Sequence, residues 1–274
     1  MAFEPFLRWA GGKSWLVPHL EEFIGNTEID HYHEPFLGGG AVFFNIRRQH
    51  RAYLSDENED LINAYLCVRD YPEEVINQIQ GYENTADTYY NLRNQAPEDA
   101  VLRAARFIFL NQTSYNGLYR VNQNGQYNVP YGHRAFWQFD AQKIRAASTR
   151  LKNTRIQFCD FEDNKRFIKR HDLVFLDPPY TVSHNNNGFI KYNRNLFSLE
   201  DQQRLSCFVD YIKRKDAYYI LTNAAHQVIA EIFEKGDRRI ELQRPSLIGG
   251  QNARREPVSE YVFTNLPGVI INDV

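Results

Sequence analysis

The sequence contains little cysteine and no long apolar run. Its three cysteines, Cys67, Cys159 and Cys207, lie far apart among 274 residues and show no paired metal-binding spacing. An odd, scattered set is typical of reduced thiols, so we expect a cytoplasmic protein without a bound metal. No apolar stretch approaches the ~20 residues of a membrane span. Glu4 and Arg8 occupy the place where a signal peptide needs an apolar core, which argues against secretion.

A large net charge is also missing, but the charge that is present is unevenly distributed. The whole chain carries −2, whereas residues 100–159 contain nine Lys or Arg residues and one acid, Asp140. This segment therefore carries +8 and the remainder −10. A basic segment in an acidic chain is typical of a polyanion-binding site, although a solvated helix face with scattered loops explains it equally well.

Internal repeats and low-complexity linkers are absent as well, so we expect one α/β sheet with an insertion. Short apolar runs predict strands at 31–35, 52–55, 155–158, 172–176 and 217–221, with 239–242 and 260–263 as a closing antiparallel pair. Other stretches predict helices at 41–49, 61–82, 99–111 and 199–214, and a loop or hairpin at 112–132. The predicted fold class is a Rossmann-like, doubly wound α/β sheet with an inserted lobe at 57–145.

The most informative motif is Asp177-Pro178-Pro179-Tyr180, which follows the apolar run 173–176. Two consecutive prolines fix φ and remove two backbone donors, so the turn is stiff and its carbonyls remain available as acceptors. The carboxyl end of a strand is where open α/β sheets bind ligands. A carboxylate, carbonyls and an aromatic ring held there can bind a planar base with an amino group. A purely structural turn is the alternative, and the unusual composition favours function.

Three other motifs each leave two interpretations open. Gly38-Gly39-Gly40 follows the first predicted strand, and Asp56 ends the second at the usual place for binding ribose hydroxyls, but a tight turn and a helix N-cap explain them equally well. Asp160-Phe161 after the third strand can hold an adenine, although a loop acid and a core ring are the simpler explanation. Gly11-Gly12-Lys13 can hold an anion, or it begins a helix with Lys13 exposed.

Taken together, five segments resemble the motifs of the amino-methylating DNA methyltransferases. They are residues 8–13, 34–40, 111–120, 127–132 and 177–180. Their order, with the glycine motif first, a long insertion, and Asp-Pro-Pro-Tyr last, is that of the Dam-type (D12) adenine-N6 class. The resemblance covers residues 6–263 and implies a methyltransferase sheet (1–56 and 146–274) with an inserted, mainly helical DNA-recognition domain (57–145).

The resemblance implies S-adenosylmethionine as the methyl donor and the adenine amino group as the acceptor. The implied cofactor-binding residues are Trp9, Ala10, Gly11, Lys13, Phe36, Gly38, Gly40, Asp56, Asp160, Phe161 and Asp177. Among them, Lys13 pairs with the cofactor's carboxylate and Asp56 holds its ribose. Asp177 and the carbonyl of Pro178 accept hydrogen bonds from the target amino group, and Tyr180 stacks on the base, which is rotated out of the duplex.

The same resemblance implies which residues contact double-stranded DNA. They are Arg8, Tyr115, Asn116, Leu118, Arg120 and Pro130. Arg8 and Arg120 are expected to read guanines, the commonest specific major-groove contact of arginine. The expected target is GATC, although Arg8 stands where family members usually have Lys. The loop at 249–255 is either a phosphate contact or a simple hairpin turn.

Two other functions stay open from the sequence alone. One is methylation of adenine in RNA or of another planar amine, such as a cytosine amino group or a protein glutamine. The other is a DNA-binding module that has lost catalysis, against which Asp177 and Tyr180 argue. No cysteine stands in a motif suited to the covalent chemistry of cytosine ring-carbon methylation. We expect a monomer, and the sequence leaves open a partner restriction endonuclease.

Overall fold

The computed structural model describes residues 3–46, 51–122, 125–134, 137–180, 197–244 and 258–268. Backbone contacts divide the chain into two compact units. The first unit comprises Met1–Val17, Leu37–Arg47 and Leu54–Cys159, and the second comprises Pro18–Phe36, Arg48–Tyr53 and Asp160–Val274. The predicted division into a catalytic and an inserted DNA-recognition domain concerns function and stays a prediction.

The described residues contain a mixed seven-stranded sheet, which confirms the predicted α/β class. Its strands are β1 (Tyr32–Glu34), β2 (Ala52–Asp56), β3 (Thr154–Phe158), β4 (Leu173–Leu176), β5 (Tyr218–Ala224), β6 (Arg238–Arg244) and β7 (Val258–Thr264). Their order in the sheet is β3-β2-β1-β4-β5-β7-β6. Strand β4 pairs in parallel with β1 and β5, whereas β7 pairs antiparallel with β5 and β6. The predicted closing antiparallel pair is therefore confirmed.

The register of the strands in the second unit determines what lies beside the Asp-Pro-Pro-Tyr turn. Every residue of β4 is buried, as expected for an apolar strand with a parallel neighbour on each side. Its last residue, Leu176, lies opposite Leu221 of β5. Farther along β5, Thr222 lies opposite Val262 and Ala224 lies opposite Glu260 of β7. Asp177 therefore leaves the sheet next to the second half of β5.

Nine α-helices and three 3₁₀ helices are found in the described part of the chain. The α-helices are α1 (Leu20–Ile24), α2 (Ala41–Asn45), α3 (Glu59–Asp70), α4 (Pro72–Gln80), α5 (Ala86–Asn94), α6 (Ala100–Thr113), α7 (Ala141–Leu151), α8 (Leu199–Arg214) and α9 (Gln227–Ile232). The 3₁₀ helices are Val17–His19, Tyr115–Gly117 and Phe161–Arg166. None of the helices in these ranges is long and apolar enough to cross a membrane.

Two of the helix predictions need correction. The single helix expected at 61–82 is two helices, α3 and α4, because Pro72 has no backbone N–H to continue the first and instead begins the second. The helix expected at 41–49 ends at Asn45, since Ile46 has extended backbone angles. Helix α8 has the predicted bounds, and Ser198 and Asp201 form a capping box at its start.

Each unit has its own cluster of buried apolar side chains. In the second unit, Phe161, Leu176, Phe208, Leu221 and Phe263 belong to one core cluster that joins the sheet to α8. In the first unit, an aromatic-rich cluster lies beneath the segment 112–132. Tyr89, Phe109, Tyr127, Val129 and Tyr131 belong to it. The loop-like segment is therefore anchored by its own tyrosines, and the isolated bridges Ser114–Tyr131 and Val121–Tyr127 confirm its hairpin character.

Candidate functional site

The glycine turn after β1 lies in the first unit and packs closely on Trp9. Gly38 and Gly40 have φ angles of +47° and +68°, which L residues rarely adopt. A Cβ atom on Gly38 would lie 2.9 Å from the indole Nε1 of Trp9, and one on Gly40 would lie 2.8 Å from the hydroxyl of Tyr65. Both glycines are therefore required by their backbone angles, and also because Trp9 and Tyr65 fill the space that a side chain would need.

Asp56, at the end of β2, is bound to this turn. Its Oδ2 accepts a hydrogen bond from the backbone N–H of Gly38 at 3.0 Å, and its Oδ1 accepts one from Asn58 at 3.0 Å. Burial raises the pKa of the Asp56 carboxyl to about 6, although hydrogen bonds from the backbone of Gly38, Asn58 and Glu57 act in the opposite direction. The N-cap of α3 is Asn58, not Asp56, so the N-cap interpretation of Asp56 is wrong.

Lys13 is buried in the first unit, with 3% of its surface exposed. Its Nζ donates a hydrogen bond to the carbonyl of Gly11 at 2.8 Å, while Ala10 and Gly11 themselves are exposed. The interpretation with an exposed Lys13 is therefore wrong. A lysine ammonium is a compact positive charge, which suits an anionic ligand group.

In the second unit, two side chains of the sheet hold the Asp177–Tyr180 turn. The Oγ1 of Thr222 on β5 donates a hydrogen bond to Oδ1 of Asp177 at 2.8 Å. The hydroxyl of Tyr180 donates one to Oε2 of Glu260 on β7, whose side chain is fully buried. Pro178 is buried, and Asp177 and Tyr180 are partly exposed. The turn is therefore attached to β5 and β7, and its acid and its ring remain partly exposed.

Asp160 and Phe161, also in the second unit, have structural roles in this structure. Asp160 caps the 3₁₀ helix Phe161–Arg166 through Glu162, and its Oδ2 is 2.8 Å from Nη2 of Arg204. The ring of Phe161 is 2% exposed and lies 5.4 Å from the ring of Phe36. The predicted contacts of Asp160, Phe161 and Phe36 with the cofactor stay predictions.

Most of the predicted DNA-contacting residues lie close together in the first unit. The backbone N–H of Tyr115 donates to the carbonyl of Pro130, and that of Leu118 donates to Tyr115. Asn116 has a left-handed backbone (φ 54°), which exposes it beside Tyr115. The ring of Tyr115 is 51% exposed. The structure thus presents an exposed aromatic and an exposed amide side by side in the 3₁₀ helix Tyr115–Gly117.

Arg8 is fixed beside the same 3₁₀ helix. Its backbone N–H and carbonyl both bond to the fully buried amide of Asn111, at 2.8 and 2.6 Å, and its Cβ lies against Gly117. Its guanidinium reaches the carbonyl of Gln112 at 3.5 Å, and Arg134 donates to the same carbonyl at 3.0 Å. Burial first, and then the nearby charge of Arg134, lower the pKa of Arg8. Two cations therefore lie side by side.

Arg120 is exposed and is oriented by Asn128 across the hairpin. Its Nε donates to Oδ1 of Asn128 at 2.7 Å, and its Nη2 donates to the carbonyl of the same residue at 3.2 Å. Other basic residues of the segment 100–159 form ion pairs inside the first unit: Arg103 with Asp60, Arg145 with Glu73, and Lys143 with Glu4. Part of the +8 excess is thus neutralised locally, and Arg8, Arg120 and Arg134 are better placed for a polyanion.

Three residues of this site were not identified from the sequence. Thr222 and Glu260 contact Asp177 and Tyr180 across 45 and 80 residues of chain, and no local pattern reveals such pairs. An acid inside the apolar strand 260–263 was the one available signal for Glu260. Arg134 stood among nine basic residues with nothing to distinguish it. The loop predicted at 249–255 lies outside the residues that the structure describes, which contain no cluster able to hold a metal ion.

The chain belongs to the D12 class of N6 adenine-specific DNA methyltransferases, whose family pattern matches residues 9–245. It is 33% identical to the type II methyltransferase M1.LlaDCHI of Lactococcus lactis subsp. cremoris, over 95% of each chain. It is 36% identical to the type II methyltransferase M.MjaIII of Methanocaldococcus jannaschii, over 82% of this chain and 85% of the relative.

The DNA adenine methylase of Haemophilus influenzae is 30% identical, over 94% of this chain and 92% of the relative. These relatives confirm the predicted family, and the mixed α/β sheet is the fold expected of it. The protein is thus a methyltransferase of a family that acts on adenine in DNA.

Proposed function

We propose that this protein transfers a methyl group from S-adenosylmethionine to the exocyclic N6 amino group of adenine in double-stranded DNA. The observation that carries the proposal is the fixed position of the Asp177 carboxylate. Asp177 directly follows the fully buried strand β4, and its Oδ1 accepts a hydrogen bond from Thr222. Together with family membership, this fixed acid, which stands directly before two prolines, suits an amino-methylating site.

The residues of the first unit fit the proposed cofactor. The turn of Gly38 and Gly40, which Trp9 and Tyr65 hold in place, is proposed to pass under the methionine part. The buried ammonium of Lys13 suits a carboxylate, and the carboxylate of Asp56 suits ribose hydroxyls. Ala10 and Gly11 contribute exposed residues. Phe36, Asp160 and Phe161, which belong to the second unit, are proposed to hold the adenine ring. When bound, S-adenosylmethionine supplies an electrophilic methyl group on a sulfonium.

Asp177 and the carbonyl of Pro178 are proposed to accept the two hydrogens of the target amino group. An aromatic amine is a weak nucleophile because its lone pair is delocalised into the ring. Two acceptors draw the nitrogen toward tetrahedral geometry and localise that pair, so the amine can attack directly and release its proton afterwards. Asp177 therefore acts as an oriented acceptor and does not need to be a strong base.

The target nitrogen lies inside the duplex, so the base has to leave the stack before it reacts. We propose that Tyr180 stacks on the flipped adenine and replaces the contacts that the base lost. The exposed Tyr115 and Asn116 are proposed to occupy or support the gap in the duplex. Their place in a short 3₁₀ helix beside the bridge Ser114–Tyr131 supports this role, because side chains that fill a gap in the duplex need a fixed backbone.

Sequence recognition is assigned to residues 57–145 together with Arg8, with the catalytic part at 1–56 and 146–274. Arg8 and Arg120 are proposed to read guanines, and Leu118 and Pro130 to contact a thymine methyl, within the target GATC. Support comes from the orientation of both guanidinium groups by Gln112 and Asn128. We further propose that the enzyme is a monomer and that it works beside a restriction endonuclease; two relatives are named type II methyltransferases.

The test is incubation of the purified protein with labelled S-adenosylmethionine and unmethylated genomic DNA, followed by sequencing that maps modified adenines. Methylation of one short motif supports the proposal, and GATC supports the assigned reading residues. An Asp177→Asn variant, which keeps the shape of the side chain, is the matched control and should be inactive. Methylation of RNA or protein in place of DNA, or unchanged activity of the variant, would refute the proposal.

A further inference from the structure

The phenol of Tyr180 is held at its far end by a buried acid of another strand. Its hydroxyl donates a hydrogen bond to Oε2 of Glu260, whose side chain has no solvent exposure. Glu260 lies between Ser259 and Tyr261 on β7 and forms part of two antiparallel ladders, opposite Ala224 and opposite Leu242. The acid therefore projects from the rigid interior of the sheet and not from a loop.

Burial of a carboxyl group at this place has a cost that an apolar residue would avoid. A buried polar group destabilises a protein unless hydrogen bonds replace those to water. The strand around Glu260 otherwise consists of residues suited to a sheet interior, including Val262 and Phe263. The hydrogen bond from the Tyr180 hydroxyl is one of the interactions that offset the cost of burying the Glu260 carboxyl. The contact between the two residues is therefore part of the packed structure of the sheet.

Glu260 and Thr222 act from the same face of the sheet. Thr222 lies directly opposite Val262, and residues directly opposite on antiparallel strands project to the same side. Glu260 is two residues from Val262, so its side chain projects to that side as well. Thr222 binds Asp177 at the start of the turn and Glu260 binds Tyr180 at its end. The turn is thus held at both ends by neighbouring strands.

We propose that Glu260 is a positioning residue, which fixes the ring of Tyr180 in the orientation that stacks on the target base. The inference rests on the proposed function, because it gives Tyr180 the role of stacking partner. A ring attached to a turn by one bond rotates freely unless its other end is bound. A hydrogen bond from the hydroxyl to a buried strand removes that freedom before the base arrives.

Three variants separate this role from a merely structural one. Tyr180→Phe keeps the stacking ring and removes its hydroxyl. Glu260→Leu removes the acceptor, and Glu260→Gln keeps an acceptor in the same place. The matched control is Tyr219→Phe, which removes another bond of the same kind in the second unit, from Tyr219 to Oδ2 of Asp237 at 2.8 Å.

The rate of methylation is measured in a single turnover with saturating DNA and cofactor. A second duplex of the same sequence carries 2-aminopurine in place of the target adenine; it has no N6 amino group to methylate, and its fluorescence reports stacking of the flipped base. We expect Tyr180→Phe and Glu260→Leu each to slow methylation about tenfold, since each removes the same buried hydrogen bond. Both should change the 2-aminopurine signal, with the dissociation constant for S-adenosylmethionine unchanged.

The double variant should be no slower than either single variant, because one interaction has been removed in both. Glu260→Gln should recover most of the wild-type rate, and Tyr219→Phe should keep it fully. The inference is overturned if Tyr180→Phe methylates and stacks the base like the wild type. It is also overturned if the effects of Tyr180→Phe and Glu260→Leu multiply in the double variant.

The Tyr180→Phe variant does not alter a buried strand. The inference can therefore be tested with this variant even if Glu260→Leu fails to fold. The proposed function is tested in the same assay by the unaltered protein. If the wild type transfers no methyl group to DNA, the proposed function and this inference fail together. If the wild type is active and the hydroxyl of Tyr180 has no effect, only the inference fails.

Discussion

The carboxylate of Asp56 accepts a hydrogen bond from the backbone of Gly38, with 3.0 Å between Oδ2 and N. This contact joins the acid that ends β2 to the first glycine of the turn that follows β1. Burial raises the pKa of Asp56 to about 6, so its charge changes within the range in which enzymes are easily assayed. The two parts of the proposed cofactor site in the first unit are therefore linked through one titratable group.

The affinity for S-adenosylmethionine should depend on pH through Asp56. The ionised carboxylate accepts hydrogen bonds from both ribose hydroxyls, whereas the protonated form has to donate one of its own. We expect the dissociation constant to fall about tenfold per pH unit up to about pH 6 and to stay constant above it. Isothermal titration calorimetry on the unaltered protein from about pH 5 to about pH 8 measures this dependence.

The Asp56→Asn variant should bind weakly and without this pH dependence, whereas Glu57→Gln, a change at the exposed neighbouring acid, should keep the wild-type profile. A wild-type profile in Asp56→Asn would contradict the assignment. A rise in pH should strengthen cofactor binding through Asp56, but it should lower the contribution of Asp56 to the stability of the fold. The folded state binds more protons than the unfolded state between pH 3.8 and about 6, so the contribution of Asp56 to the free energy of unfolding falls as the pH rises through this window.

Replacement of Gly40 by alanine should destabilise the protein. The φ angle of Gly40 is +68°, and a Cβ atom there would lie 2.8 Å from the hydroxyl of Tyr65 and 3.1 Å from Cε2 of Phe44. Backbone strain and overlap together should lower the free energy of unfolding by about 2–4 kcal/mol. Urea denaturation measures this loss. Gly125→Ala is the control, because Gly125 has a φ of +74° but no atom within 4 Å of a Cβ, so its loss should be smaller.

The hydrogen bond between Thr222 and Asp177 should matter for turnover more than for binding. Thr222→Val keeps the shape of the side chain and removes the donor to Oδ1, so the carboxylate loses one restraint on its orientation. We expect the single-turnover methylation rate to fall about tenfold, with the dissociation constant for DNA unchanged. Thr222→Ser, which retains a hydroxyl, should restore most of the rate. Equal rates for the valine and serine variants would show that the hydrogen bond does not orient Asp177.

Periodicity and turn residues predicted the parts of the fold that depend on local chemistry. Strand β4 is an apolar run that ends at a double proline, and α8 has both a capping box and a clear stripe of buried residues. By contrast, α5 is short and polar and was not expected, although Thr85 caps it. The break at Pro72 was overlooked because the apolar pattern continues through it in α4, whose Val75 and Ile76 are buried. Local pattern thus located elements better than it located their ends.

The candidate site was predictable where a motif lies within a few residues. Gly38, Gly40, Asp177 and Tyr180 belong to such motifs, and both glycines have the left-handed angles that explain their presence. The supports of the site depend on the strand order instead. Glu260 reaches Tyr180 only because β7 runs antiparallel beside β5, which no local spacing in the sequence specifies. The sequence therefore revealed the motif residues of the site, whereas the residues that orient them could be identified only from the structure.

Arg120 should determine sequence choice, whereas Arg134 should determine general affinity for DNA. The guanidinium of Arg120 is oriented by Asn128, as a group that reads one base has to be. We expect Arg120→Ala to relax discrimination by about 1–3 kcal/mol at one base pair of the target. Methylation rates on a set of duplexes with single substitutions in the target measure this change.

Arg134→Ala is the matched control, because Arg134 is also exposed and lies beside Arg8 on the shared carbonyl of Gln112. A cation that meets phosphate adds affinity for any sequence, so this variant should weaken binding uniformly and reduce the slope of log K against log salt by about 1. If Arg120→Ala instead weakens all sequences equally and changes the salt slope, Arg120 contacts the phosphate backbone. Base reading would then have to come from Arg8 and the apolar pair Leu118 and Pro130.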